Sequence, residues 1–243
     1  PMPVEPRCGT LTVPVPRLPH LLVELAAVSV ALTALSYLGL VSGHPLFVSG
    51  EAGHRLVDVG TEANIPTWWS ATLLSLGAAG CLARGARRDP LDSPGSTGFA
   101  WFACAAGLAA LSLDELASIH ELLFVAGDRL APGAFAFSWL VIGIPLALAL
   151  AAGAVLVARR LPRRARALLL GGLAVFLIGA VGLEWLGSEL TARDAYGTRL
   201  GVAAYHLEEL AEMLGAALMC LSPLSGSERA RNVAHPTPAG GVP

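Results

Sequence analysis

The sequence predicts an all-α membrane protein, a bundle of six transmembrane helices with both termini in the cytoplasm. Composition is the first reason, since 54 % of the 243 residues are hydrophobic and only 14 % are charged. A mean hydropathy of +0.63 is too apolar for an ordinary water-soluble domain. The second reason is a series of separate apolar segments, and the third is the alternation of arginine-rich and arginine-poor connections between them.

Six segments have the roughly 20 mostly apolar residues that a helix needs to cross the hydrocarbon core of a bilayer. They are residues 21–42, 66–84, 99–125, 137–158, 167–190 and 203–222. Proline and glycine punctuate the connections between them. The chain is therefore predicted to have a Pro-rich cytoplasmic segment at 1–20, one membrane domain at 21–222, and a disordered cytoplasmic tail at 223–243.

The arginines predict how the bundle is oriented, because cytoplasmic connections retain basic residues. Alternate connections divide the 16 arginines into twelve on one side and four on the other, Arg55, Arg129, Arg193 and Arg199. The arginine-rich side holds both termini and is predicted to be cytoplasmic. Lysine is absent, and the chain is rich in alanine, glycine, leucine and valine. That usage is typical of GC-rich bacterial genomes and favours the bacterial inner membrane.

Several classes of function are disfavoured by what the chain lacks. The net charge is −2 and there is no basic surface with interleaved aromatic residues, so nucleic acid is not an expected partner. The four cysteines are scattered singly, which indicates neither a disulfide framework nor a thiolate metal site. Zincin, serine hydrolase and phosphate-binding motifs are also absent from the sequence.

Ionisable residues converge at one depth once each predicted helix has a direction. The third and fifth segments run outward, and the sixth runs inward from the outer surface. Their acids and histidines then gather in the periplasmic half, whereas the inner halves of the same segments are almost entirely apolar. His206 and Glu209, at positions i and i+3, share a helix face. His120 faces away from Asp114 on an ideal helix and joins the group only if the helix bends or ends there.

Mutual repulsion makes this convergence informative. Two carboxylates 4 Å apart repel by about 4 kcal/mol at an effective dielectric of 20, and each charge buried in a membrane costs roughly 2.5–3.5 kcal/mol on insertion scales. Bound protons, arginines or a metal ion must compensate. For Glu208, Glu209 and Glu212 a simpler interpretation is a favourable position in the first turns of a helix. Glu189 and Asp194 are expected to pair with arginines.

A divalent metal site is the leading hypothesis, since helical bundles build carboxylate-rich metal centres from ligands one turn apart. Oxygen ligands with one or two imidazoles suit Fe, Mn or Zn. The predicted ligands are Asp114, Glu115, Glu121, Glu184, His206 and Glu209, followed by Glu212 and His120.

The sequence leaves the function of this site open. A metal ion could activate water or dioxygen toward a lipid or quinone-like substrate, although catalysis itself is not indicated. The first alternative is a proton or cation transporter that uses the same carboxylates. The second is a non-catalytic subunit of a larger membrane complex, in which the acids are structural. Membrane lipids, and in the last case other membrane subunits, are the expected partners.

Overall fold

A computed structural model describes residues 18–42, 52–87 and 97–226. Every regular element in these ranges is helical. Most of the predicted N-terminal segment, residues 1–17, lies outside the described residues. The same holds for residues 227–243 of the predicted tail.

Nine α-helices make up the described ranges. They are α1 (Leu18–Ser42), α2 (Ala52–Val57), α3 (Ile65–Ala86), α4 (Thr97–Ala117), α5 (Phe124–Leu130), α6 (Leu140–Ala158), α7 (Arg163–Leu177), α8 (Glu184–Thr191) and α9 (Arg199–Leu221). A 3-10 helix at Ile119–Leu123 joins α4 to α5, a π-helical turn at Ile178–Leu183 joins α7 to α8, and a second 3-10 helix covers Ser222–Gly226. All six predicted segments are thus helical, and the short α2 was not predicted.

Local sequence determines where the helices begin and end. The Asn64 side chain caps α3 by accepting a hydrogen bond from the backbone N–H of Thr67 at 2.9 Å, and Pro66 lies in the first turn. The predicted helix at 99–125 ends early because Ser118 has a left-handed backbone, with φ of +47°. The chain therefore turns after Ala117 instead of continuing as one long helix.

Four described helices are long and apolar enough to cross a membrane: α1, α4, α6, and the continuous segment Arg163–Thr191 that contains α7 and α8. The side chains of α1 are arranged as a bilayer requires. Small residues such as Ser29 and Ser36 face the protein, whereas Val23 and Leu38 are 67 % and 60 % exposed. This pattern reverses that of a water-soluble helix and agrees with a membrane protein.

The remaining two predicted spans, α3 and α9, are not among the helices that are long and apolar enough to cross a membrane. Polar residues interrupt α3, and α9 carries Glu208, Glu209 and Glu212. Of the two, α9 packs against α1, α3 and α7, whereas α3 packs against α4 and α9 and leaves Trp68, Leu76 and Leu82 exposed. The six-span count and the orientation of the termini stay predictions.

The core lies between α3, α4, α7 and α9. Leu74, Trp101, Ala165 and Ala217 are among its fully enclosed side chains. Apolar side chains from all four helices make up this core.

Candidate functional site

Five glutamates from three helices meet at one end of the bundle. This acidic cluster consists of Glu115 on α4, Glu184 on α8, and Glu208, Glu209 and Glu212 on α9. Glu209 lies within electrostatic range of both Glu115 and Glu184 and so occupies the middle of the group. The predicted convergence of carboxylates from the third, fifth and sixth segments thus has a counterpart in the structure.

Two carboxyl pairs form within the cluster. The carboxyl groups of Glu115 and Glu212 lie beside each other, and so do those of Glu184 and Glu208. A hydrogen bond between two carboxyl groups requires a proton on one of them. In the described ranges, none of the recorded ion pairs joins an arginine to these five acids. Compensation for burial is therefore left to bound protons, bound cations or the imidazole of His120, which lies within electrostatic range of Glu115 and Glu184.

A π-helical turn places Glu184 opposite α9. The turn at Ile178–Leu183 ends directly before Glu184, and Gly179 within it contacts the α9 backbone. A Cβ atom on Gly179 would lie 2.8 Å from the carbonyl oxygen of Glu208 and 2.9 Å from Cγ of Glu212. Only glycine allows this approach, and π-helical turns of this kind are frequent at functional sites. In the sequence, this close approach to α9 is visible only as the glycines Gly179 and Gly182.

Trp139 connects Glu184 with His120. Its indole Nε1 donates a hydrogen bond to Oε1 of Glu184 at 3.2 Å, and its ring centroid lies 5.0 Å from that of His120. The side chain is only 6 % exposed, so the contact is fixed by packing. Nothing in the sequence distinguished Trp139 from the other tryptophans.

Asp114 and His120 come together because α4 ends between them. The Asp114 carboxylate accepts the backbone N–H of His120 at 2.8 Å, and its other oxygen lies 3.1 Å from Nδ1 of the same residue. Burial alone would lower the pKa of His120, but the hydrogen bond and charge of Asp114 raise it above its ordinary value. In an ideal helix His120 would point away from Asp114, and the turn at Ser118 brings the two side chains together.

Glu62 lies at the rim of the cluster, in the connection before α3. The residue as a whole is exposed, yet the protein around its carboxyl group removes water and, together with the charge of Glu115, raises its pKa to about 7. Glu121 is exposed nearby and adds to the same effect. These residues form the part of the site nearest to water.

The raised pKa of Glu62 predicts a titration near neutrality. A group whose pKa exceeds the usual 4.5 takes up its proton on acidification before an ordinary glutamate does. Infrared difference spectra between pH 8 and pH 6 should show a carboxylic acid band appearing with a midpoint of about 7. This band should be missing in Glu62→Gln and retained in Glu189→Gln. A midpoint near the ordinary value in the parent protein would contradict the assignment.

His206 is not part of the acidic cluster. Its Nδ1 donates to the carbonyl oxygen of Val202 at 2.7 Å, so Nε2 is the acceptor for the hydroxyl of Ser36 at 3.1 Å. Ser36 in turn accepts the backbone N–H of Val59 at 3.1 Å. Both ring nitrogens are thereby occupied, and the contact of Nε2 with Ser36 joins α9 to α1 and, through Val59, to the connection before α3. His206 therefore has a packing contact, although Glu209 one turn away belongs to the cluster.

The other predicted positions divide between the cluster and the surface. Glu208, which was outside the predicted ligand set, forms one of the two carboxyl pairs. The expectation that Glu189 pairs with an arginine is confirmed, since it lies 3.1 Å from Nη2 of Arg193 on the exposed surface. Within the described parts of the chain, no group of three or more His, Cys, Asp or Glu side chains is arranged to hold a metal ion. The predicted Fe, Mn or Zn ion stays a prediction.

Comparison with known proteins identifies the family to which the chain belongs. Neither a curated protein nor a solved structure matches the chain. One family matches over residues 22–225, a range that contains the acidic cluster, Glu62, Trp139 and the π-helical turn. The chain belongs to this family, which is described as a domain of unknown function, DUF8692.

Proposed function

We propose that the protein is a six-span membrane protein that binds and exchanges protons at the acidic cluster, as a proton or cation transporter. In this topology α3 and α9 cross the membrane as well. Their packing supports this, because α9 lies against α1, α3 and α7, and α3 buries Thr67 and Ser70 while it exposes the apolar side chains of Trp68 and Leu76. The arginine distribution supports a bacterial inner membrane with the acidic cluster toward the periplasm.

The two carboxyl pairs carry the proposal. In this proposal each pair shares one proton, and loss of this proton leaves two like charges side by side. At 4 Å and an effective dielectric of 20 these charges repel by about 4 kcal/mol. A site of this kind either recovers its proton or takes a cation in its place. Exchange between the two is the elementary step of a proton-coupled cation transporter.

The residues at the rim provide the path by which protons enter. Glu62 titrates near neutral pH and lies within electrostatic range of Glu115 and of the Asp114–His120 pair. His120 in turn lies within electrostatic range of Glu184, a member of the second carboxyl pair, and Trp139 positions Glu184 by donating a hydrogen bond to it. Glu62 and His120 are therefore the titratable groups that connect the surface with the cluster. The apolar core beyond the cluster requires a conformational change before they reach the opposite side.

A divalent metal ion is the second candidate occupant. Carboxyl pairs without an arginine partner offer the oxygen ligands that Mn, Fe or Zn accept. Binding would displace the shared protons into solution. The acidic cluster is also compatible with a metal-dependent enzyme or a non-catalytic subunit of a larger complex. The described geometry favours neither of these functions over a transporter.

Reconstitution into vesicles tests the proposal. Vesicles that contain the purified protein and an internal pH dye should change their internal pH, after a potential is imposed, faster than protein-free vesicles. Addition of Mn²⁺ or Zn²⁺ in separate arms shows whether the flux is coupled to a cation. A flux no greater than that of protein-free vesicles would exclude a transporter. Stoichiometric metal in the purified protein, without flux, would instead identify the cluster as a resident metal site.

A further inference from the structure

An apolar groove lies between α4, α6, α7 and α9, and none of its lining residues belongs to the acidic cluster. It encloses about 300 Å³ and all of its lining residues are apolar. Cys104, Gly107 and Leu111 line it from α4, Gly153 from α6, and Leu173 from α7. The groove is partly open at the surface, so its contents exchange with whatever surrounds the bundle.

The glycines of this groove do not serve close helix packing. A Cβ atom on Gly107 or on Gly153 would meet no atom within 4 Å. Elsewhere in the bundle a glycine has the opposite function: a Cβ on Gly172 would lie 2.7 Å from the carbonyl oxygen of Gly215. Small residues at helix interfaces normally bring backbones together. Gly107 and Gly153 instead leave a space of defined width between α4 and α6.

In the membrane topology proposed above, the open side of the groove faces hydrocarbon. Both α4 and α6 are among the helices suited to cross a membrane, and Phe102, Leu148 and Leu156 project from them with exposures of 46 %, 67 % and 61 %. The lining offers almost no polar atoms, which disfavours stable binding of water. It also offers no charged partner for a lipid headgroup. What enters must be apolar and must come from the bilayer.

We infer that the groove binds one acyl chain of a membrane phospholipid. An α-helix with its side chains is about 10–12 Å wide, and a space of about 300 Å³ is too small for one. A single hydrocarbon chain fits such a space and restores the van der Waals contacts that an empty groove would lose. The headgroup stays at the membrane surface. This site is separate from the acidic cluster and does not depend on proton exchange.

Native mass spectrometry of the full chain, released from nanodiscs of a single phospholipid, tests the inference. The parent protein should retain one phospholipid per chain under conditions that remove the others. Gly107→Leu and Gly153→Leu fill the groove from opposite sides, and each should lose this lipid. Gly171→Leu is the matched control, because Gly171 also faces open space but lies outside the groove. It should retain the lipid as the parent does.

Thermal unfolding followed by circular dichroism shows which variants are folded, and either groove variant alone suffices if the other does not fold. Retention of the phospholipid by a folded groove variant at the parent level would overturn the inference. So would a parent protein that retains no phospholipid. A dimer that Gly107→Leu or Gly153→Leu converts to monomers would show a second copy in the groove, and it would overturn the inference as well.

Discussion

Glu212→Gln should reduce the proton flux of reconstituted vesicles to the level of protein-free vesicles, while the protein stays folded. In the proposed transporter, Glu212 of the parent protein shares a proton with Glu115, which lies beside it. A glutamine side chain donates its own N–H to Glu115, so the hydrogen bond persists without an exchangeable proton. The free energy of unfolding should change by less than about 1 kcal/mol, because one hydrogen bond replaces another. Flux and unfolding are measured on the same preparation.

Glu189→Gln is the control for this prediction. It makes the same chemical change on a glutamate that pairs with Arg193 at the exposed surface, outside the acidic cluster. The flux should match that of the parent. A Glu212→Gln variant that transports as well as the parent would show that the Glu115–Glu212 pair is not used. Loss of flux in both variants would point to an effect of surface charge instead.

The positions of the long helices could be predicted from the sequence because they depend on local patterns, whereas the depth of the acidic cluster in the membrane stays a prediction. Apolar runs predict helices, and the direction of each helix places Glu115, Glu184 and Glu212 at one end. The count of spans is harder to predict, since α3 and α9 carry polar residues that only packing in the interior can shelter. Hydropathy depends only on the residues of one segment and contains no information on the helices that pack against it.

Contacts that depend on a break in a helix could not be predicted from the sequence, because helical periodicity assumes an unbroken helix. Ideal helical geometry turned His120 away from Asp114, and the left-handed backbone at Ser118 reverses that. The π-helical turn at Ile178–Leu183 likewise shifts the residues that follow it. His206 shows that helical spacing alone does not place two residues in one site. It shares a helix face with Glu209, but its partner Ser36 comes from a distant part of the chain.

Two adjacent glycines on α7 should respond to alanine in opposite ways. Gly172 lies where α7 crosses α9, and its added Cβ would approach the carbonyl oxygen of Gly215 and Cγ of Met219, both to 2.7 Å. A backbone carbonyl cannot move aside without separating the helices, and overpacking of this kind costs typically 1–3 kcal/mol. Gly171 faces open space. There alanine should stabilise the helix by up to about 1 kcal/mol through its higher propensity.

The expected difference between Gly172→Ala and Gly171→Ala is therefore about 3 kcal/mol in the free energy of unfolding. Detergent-induced unfolding followed by circular dichroism measures it, with both variants in the same micelles. Because α9 carries Glu208, Glu209 and Glu212, separation of α7 from α9 should also disturb the acidic cluster. Proton flux should thus fall in Gly172→Ala and not in Gly171→Ala. Equal stability of the two variants would mean that α7 and α9 do not cross at Gly172 and Gly215.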